Sequence, residues 1–168
     1  VGDIVDYELE ETSDTTTGTI NNIHERKNYI VRKSVNLSHQ MHIIASNLDY
    51  VFLLITVNNP PTTFNFIDRF LVTAEAYGIE TILVFNKIDT LDETTLDEQL
   101  YMQHVYQEIG YKCLRVSAKE SKGIEELKEL MTGKTTMFSG HSGVGKSTLV
   151  NALEPSLHLK TKTISEQS

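Results

Sequence analysis

From residue 50 onward the chain alternates between short apolar runs and longer segments of helical period. The runs are YVFLLITV (50–57), TILVFN (81–86), CLRVS (113–117) and TTMFSG (135–140). They are short and almost continuously apolar, a pattern that predicts strands buried on both faces. Between them, residues 64–77 place Ile67, Phe70, Leu71 and Ala74 at i, i+3, i+4 and i+7, with Gly78 as a stop. Residues 95–109 open with acidic side chains and close before Gly110, with Leu96, Leu100, Val105 and Ile109 as the expected apolar stripe. A third helix is predicted over 124–131, carrying Ile124, Leu127 and Met131. Strand and helix repeating with short loops predicts an α/β fold, a parallel sheet with helices on both sides.

The first part of the chain has a different period. DIVDYELE, TGTINNIHE and NYIVRKS alternate polar and apolar positions and are rich in β-branched residues. With the loop ETSDTTTG they predict an antiparallel meander or part of a small barrel. Ser34 to His42 follows no period and reads as a linker. The expected organisation is therefore an all-β segment over 1–34, a linker over 35–44 and an α/β domain over 45–168.

Composition adds limits. A chain of 168 residues can bury one good core with a small appended module. The longest apolar run, Tyr50 to Val57, is too short to cross a membrane, and the acidic start VGDIVDYELEE does not read as a signal peptide. Cys113 is the single cysteine, which excludes an internal disulfide and any multi-cysteine zinc site in these residues. A cytoplasmic, monomeric protein with no membrane partner is expected. Cys113 and the tyrosines Tyr77, Tyr101, Tyr106 and Tyr111 read as packing residues, and the six histidines show no metal-ligand spacing; His39-x-x-His42 lacks a third ligand. Net charge is −8, but residues 134–168 carry four basic against two acidic residues, making that end net basic. A polyphosphate would favour such an end.

The chemistry begins there. MFSGHSGVGKSTLVNAL (137–153) contains Gly140-x-x-x-x-Gly145-Lys146-Ser147, at the end of one predicted strand and the start of a helix. Such a loop wraps phosphates with backbone N–H groups, and the helix aims its positive end at them. Gly140, His141, Ser142, Gly143, Val144, Gly145, Lys146, Ser147 and Thr148 are the candidate phosphate-binding residues. Lys146 would reach the β- and γ-phosphates, and the Ser147 hydroxyl would ligate Mg²⁺.

Two further motifs choose the base. In NKID (86–89), the Asp89 carboxylate can accept from N1–H and the 2-amino group of guanine, which adenine lacks. Asn86 would fix the loop, and the Lys87 stem would lie on the base plane. In SAK, Ser117-Ala118-Lys119, a backbone N–H could donate to guanine O6 while Lys119 covers the other face. Each tetra- or tripeptide alone is a weak signal. Three motifs ending three predicted strands converge on the carboxyl edge of one sheet, where such folds bind ligands. The expected ligand is GTP or GDP.

The motif order is unusual. A Ras-like GTPase runs phosphate loop, switch threonine, DxxG, NKxD, SAK, whereas here NKID and SAK precede the phosphate loop. That is the order of a circular permutation, which recuts one sheet at a surface loop. With VFNKIDTL, VSAKESKGIEEL and GHSGVGKSTLVNAL in this order, after VGDIV and INNIHERKNYIVRKS, the chain resembles the bacterial small-subunit-dependent ribosomal GTPases, the RsgA/YjeQ family. The resemblance implies an N-terminal OB-fold, GTP hydrolysis with Mg²⁺, and a role in late maturation of the small ribosomal subunit in contact with its rRNA. In that family a switch threonine, an Asp-Thr-Pro-Gly motif and a zinc-binding domain follow Leu153, and these are not in this sequence; Zn²⁺ is expected only with that domain. Thr161 and Thr163 receive no switch role. Roughly three of about five OB-fold strands fit into residues 1–33. The chain as it stands is therefore expected to bind nucleotide and hydrolyse it poorly.

Three readings stay open. One is a ribosome-assembly GTPase, one a non-catalytic guanine-nucleotide or RNA-binding module, and one a P-loop kinase or ATPase. HERKNYIVRK (24–33) surrounds Tyr29 with Arg26, Lys27, Arg32 and Lys33, either an RNA-facing hairpin or a solvated one. Lys27 and Arg32 could equally brace the interface with the α/β domain.

Overall fold

The computed structural model describes residues 1–11, 16–33 and 41–161. Residues 35–40 of the expected linker, with His39 among them, and Thr163 lie outside the described residues.

Four parallel strands form the central sheet: β5 (Tyr50–Ile55), β6 (Glu80–Phe85), β7 (Cys113–Arg115) and β8 (Thr136–Ser139), in the order β7-β6-β5-β8. The elements before them are β1 (Val5–Glu11), β2 (Thr16–Ile23), β3 (Tyr29–Lys33) and β4 (Met41–Ser46). Helices α1 (Phe64–Ala76), α2 (Glu93–Ile109) and α3 (Ile124–Met131) connect the parallel strands, and α4 (Lys146–Leu153) follows β8.

Alternation along each strand distributes its side chains between two cores. Leu53, Ile55, Leu83 and Phe85 pack with Ile67 and Leu71 of α1 and Met102 and Tyr106 of α2. Phe52, Leu54, Ile82 and Val84 pack with Ile124 and Leu127 of α3 and Leu149 of α4. The sheet is thus covered on both faces, as its continuous apolar runs predict. Strands β5 to β7 are laid down in one direction, and β8 returns to the other side of β5. This reversal opens a crevice at the carboxyl edge, where loops from opposite faces diverge.

Local signals explain the helix ends. Thr63 caps α1, its side chain accepting from the Phe66 N–H. At the other end Gly78 N–H donates to Glu75 O (3.0 Å) and Ile79 N–H to Ala74 O (2.9 Å). This pair of bonds closes the helix, while Ile79 packs with Ala74. Helix α2 starts two residues earlier than expected because Asp92 and Thr95 form a capping box. Its buried face is also not the expected stripe. Gln99, Met102 and Tyr106 point inward, whereas Leu100 and Ile109 are 43% and 63% exposed.

The N-terminal strands correct the meander. β1 pairs with β2 and β3 with β4, both antiparallel, giving two separate ribbons. Met41–Ser46 is a strand, so residues 41–44 do not belong to a linker. Ile30 of β3 packs with Leu48, Val51, Ala74 and Ile79, joining that ribbon to the α/β domain.

Candidate nucleotide-binding site

The three sequence motifs lie together at the carboxyl edge. Asn86 is the first residue after β6, and its N–H donates to Ile55 O (2.8 Å). Its side chain is buried and donates through Nδ2 to Val144 O (2.9 Å), a bond spanning 58 residues. NKID is thereby tied to the phosphate loop. Asn86 Oδ1 is buried without a partner among the described residues.

Asp89 sits in a 3₁₀ turn, Ile88–Thr90, immediately after this anchor. The Ser117 hydroxyl donates to Asp89 Oδ1 (2.6 Å), fixing the carboxylate. Ser117 itself is fully buried, and its N–H donates to Lys122 O (3.0 Å). It orients Asp89, while Ala118 and Lys119 are the residues of this motif that line the adjoining cavity. A cavity of about 260 Å³ opens between the two motifs, lined by Asn86, Lys87, Asp89, Thr90, Ala118, Lys119, Gly145 and Thr148. Thr90 is absent from the sequence expectation although it directly follows NKID. Lys87, half-buried with φ of 62°, donates from Nζ to Asn59 O (2.6 Å); burial lowers its pKa.

The phosphate loop runs from Gly140 to Gly145 between β8 and α4. Its first and last glycines are required by space and conformation. A Cβ on Gly140 (φ 138°) would lie 2.8 Å from Leu54 O, and one on Gly145 (φ 94°) 2.6 Å from Asn86 Nδ2. Val144 is fully buried in the core and presents only its backbone to the loop. Lys146 folds over the loop, donating from Nζ to Gly140 O (2.6 Å) and His141 O (2.7 Å), and burial lowers its pKa. Ser147 is in the first turn of α4, whose leading N–H groups have no side-chain cap. Ser142 is exposed and Gly143 has φ of 86°. A polyphosphate fits here through backbone N–H groups, the Lys146 ammonium and the Ser147 hydroxyl.

The other expected contacts are elsewhere. Arg26 forms a two-point pair with Asp3, Nε to Oδ1 at 2.6 Å and Nη2 to Oδ2 at 2.9 Å. Lys27 Nζ donates to Asp49 Oδ1 (2.9 Å), and Asp49 Oδ2 accepts from the Thr135 N–H (2.9 Å). Lys27 thus links the segment before β3 to Asp49, the residue that precedes β5. Arg32 and Lys33 lie on β3.

The family model for the RsgA GTPase matches residues 23–168. The chain belongs to the RsgA GTPase family. A small ribosomal subunit biogenesis GTPase RsgA from Flavobacterium psychrophilum is 83% identical over the whole chain, which spans 52% of that relative. The crystal structure of YjeQ from Thermotoga maritima is 40% identical with a TM-score of 0.80, over 96% of this chain and 53% of that one. YloQ, described as a circularly permuted GTPase, is 32% identical with a TM-score of 0.71, over 94% of this chain and 51% of that one. The chain thus spans about half the length of the RsgA relatives it matches. Its fold is that of the circularly permuted GTPases, with antiparallel strands ahead of the parallel sheet.

Proposed function

We propose that this chain forms the guanine-nucleotide-holding part of a GTPase acting in biogenesis of the small ribosomal subunit, with that subunit and its rRNA as partners. The observation that carries this reading is the pairing of Asp89, held by the Ser117 hydroxyl at 2.6 Å, with a cavity that continues to Gly145 and Thr148. A guanine in that cavity would offer N1–H and its 2-amino group to Asp89, between the stems of Lys87 and Lys119. Lys146 would exchange its two carbonyl partners for phosphate oxygens. Among the described residues no group of three or more His, Cys, Asp or Glu could hold a metal. The Ser147 hydroxyl, in the first turn of α4, would hold Mg²⁺ together with nucleotide phosphates and water, the usual manner for this ion. The chemistry supplied there would be neutralisation of phosphate charge. We assign no water-positioning residue.

For rRNA contact, Arg26, Lys27, Arg32 and Lys33 are the candidates. Arg26 and Lys27 are engaged with Asp3 and Asp49, so RNA would have to displace those pairs. The protein is read as a cytoplasmic monomer.

Base choice tests the central claim. Wild-type protein should bind GDP far more tightly than ADP, and Asp89→Asn should move the preference from guanine toward xanthine. Equal affinity for ADP, or an unchanged preference in Asp89→Asn, would remove Asp89 from the role and favour a P-loop kinase or ATPase.

A further inference from the structure

The base-reading and phosphate-reading loops come from distant parts of the sequence, and both are tied to a third segment. Thr56–Thr62 leaves β5 at the same edge of the sheet. Toward the base side, Lys87 Nζ donates to Asn59 O (2.6 Å), Asn58 Nδ2 to Thr90 O (3.2 Å) and the Thr90 hydroxyl to Asn58 Oδ1 (3.1 Å). Toward the phosphate side, His141 Nε2 lies 2.9 Å from Thr62 Oγ1. Thr62 is itself immobilised: it is 3% exposed, its N–H donates to Thr56 O (2.7 Å), and its Oγ1 accepts from the Thr56 N–H (3.1 Å). The ring of Phe66 on α1 meets the His141 imidazole at 90° with centroids 5.0 Å apart.

His141 does not line the base cavity. Its ring is instead committed to the segment that also grips Lys87 and Thr90. A nucleotide presents its base and phosphates at a limited range of separations, so a site that holds both subsites at that span binds without ordering them first. We propose that His141 is a positioning residue, which through Thr62 locks the phosphate loop to the Thr56–Thr62 segment and so sets the span between the base and phosphate subsites. The proposal rests on the nucleotide-site reading above.

The test is release of a fluorescent GDP analogue from the protein at its natural length, with Mg²⁺ present. His141→Leu keeps apolar bulk against Phe66 and removes the hydrogen bond, and should speed release roughly tenfold. His141→Gln can still reach Thr62 Oγ1 and should stay within about threefold of wild type. Neither change touches Asp89, so the preference for guanine over xanthine should hold in both. Wild-type-like release from His141→Leu, or equal acceleration in the Gln and Leu variants, would overturn the proposal. Should His141→Leu fail to fold, Thr62→Ser against Thr62→Val poses the same question, with fast release expected only for Val. A wild-type protein that binds no GDP would overturn both this inference and the reading beneath it.

Discussion

Strand β5 and the β1–β2 ribbon are built from the same kinds of β-forming residues, yet they stand in opposite surroundings. From Val51 to Ile55 every β5 side chain is fully buried, while Tyr7, Leu9, Ile20 and Ile23 of the ribbon are each more than half exposed. The ribbon has cross-strand partners, Tyr7 against Ile20 and Val5 against Ile23, but no layer of described residues covers them. The sheet carries the cores on its two faces and, at its carboxyl edge, the candidate nucleotide site. The N-terminal ribbons reach it through Ile30 and a set of polar ties around Ser46 to Asp49. The site should therefore depend steeply on the sheet and weakly on the β1–β2 ribbon.

The largest expected effect tests that contrast directly. Phe52 has no exposure, stacks on Phe138 at 5.3 Å between ring centroids, and faces α3 and α4. Phe52→Ala should cost roughly 3–5 kcal/mol in urea unfolding, by lost transfer energy and the cavity left behind. Tyr7→Ala should cost less than about 1 kcal/mol, since an exposed cross-strand pair contributes little. Similar losses at both positions would show that the ribbon is part of the same cooperative core.

Next in size is Gly145→Ala. The new methyl would require φ near 94° in a residue that resists it and would press on Asn86 Nδ2. Strain of about 1–3 kcal/mol follows. Because Asn86 Nδ2 holds Val144 O, relief of that strain would part NKID from the phosphate loop. GDP affinity should drop by roughly tenfold or more in calorimetric titration. An unchanged affinity would mean the two loops bind independently.

Much of this sheet could be read in advance, because a strand buried on both faces writes a continuous apolar run and a helix between strands writes its period. That the three motifs meet at one edge was likewise readable, because each follows a strand end directly. What escaped reading has particular causes. Gln99 takes an inward place on α2 and pairs with Gln103 (2.8 Å), so a polar residue occupies the stripe while Leu100 faces out. β4 pairs with β3 across a stretch without period, and nothing in MHIIAS distinguishes a ribbon strand from a connecting segment. The bond from Thr62 to His141 spans 79 residues and the one from Thr135 to Asp49 spans 86. Such contacts are made by topology and leave no mark on local sequence.

Asn28 is 4% exposed; its Nδ2 donates to Leu48 O (2.8 Å) and its Oδ1 accepts from the Leu48 N–H (2.8 Å). Asn28→Ala would leave both Leu48 groups buried and unpaired, at about 1–3 kcal/mol. The loss should appear as faster amide exchange at Leu48, with GDP affinity retained. A parallel loss of GDP affinity would show the junction to be coupled to the site.

The smallest expected effect is at Arg26, and its sign depends on pH. Hydrogen bonding from Arg26, aided by the Ser46 hydroxyl at 2.7 Å, holds the Asp3 carboxyl well below the usual carboxylate range. A group whose folded pKa is depressed contributes stability above its unfolded pKa, about 3.9 for aspartate, and loses it as pH falls toward the folded value. Arg26 stays charged throughout, so the acid side is set by Asp3 alone. The thermal midpoint of wild type should thus exceed that of Arg26→Ala by a small margin at neutral pH. The gap should narrow steadily below about pH 4 and close in strong acid, because protonated Asp3 no longer distinguishes the two proteins. A gap that stayed constant with pH would assign the role of Arg26 to packing of its stem against the ribbon. A gap that widened in acid would contradict the pairing altogether.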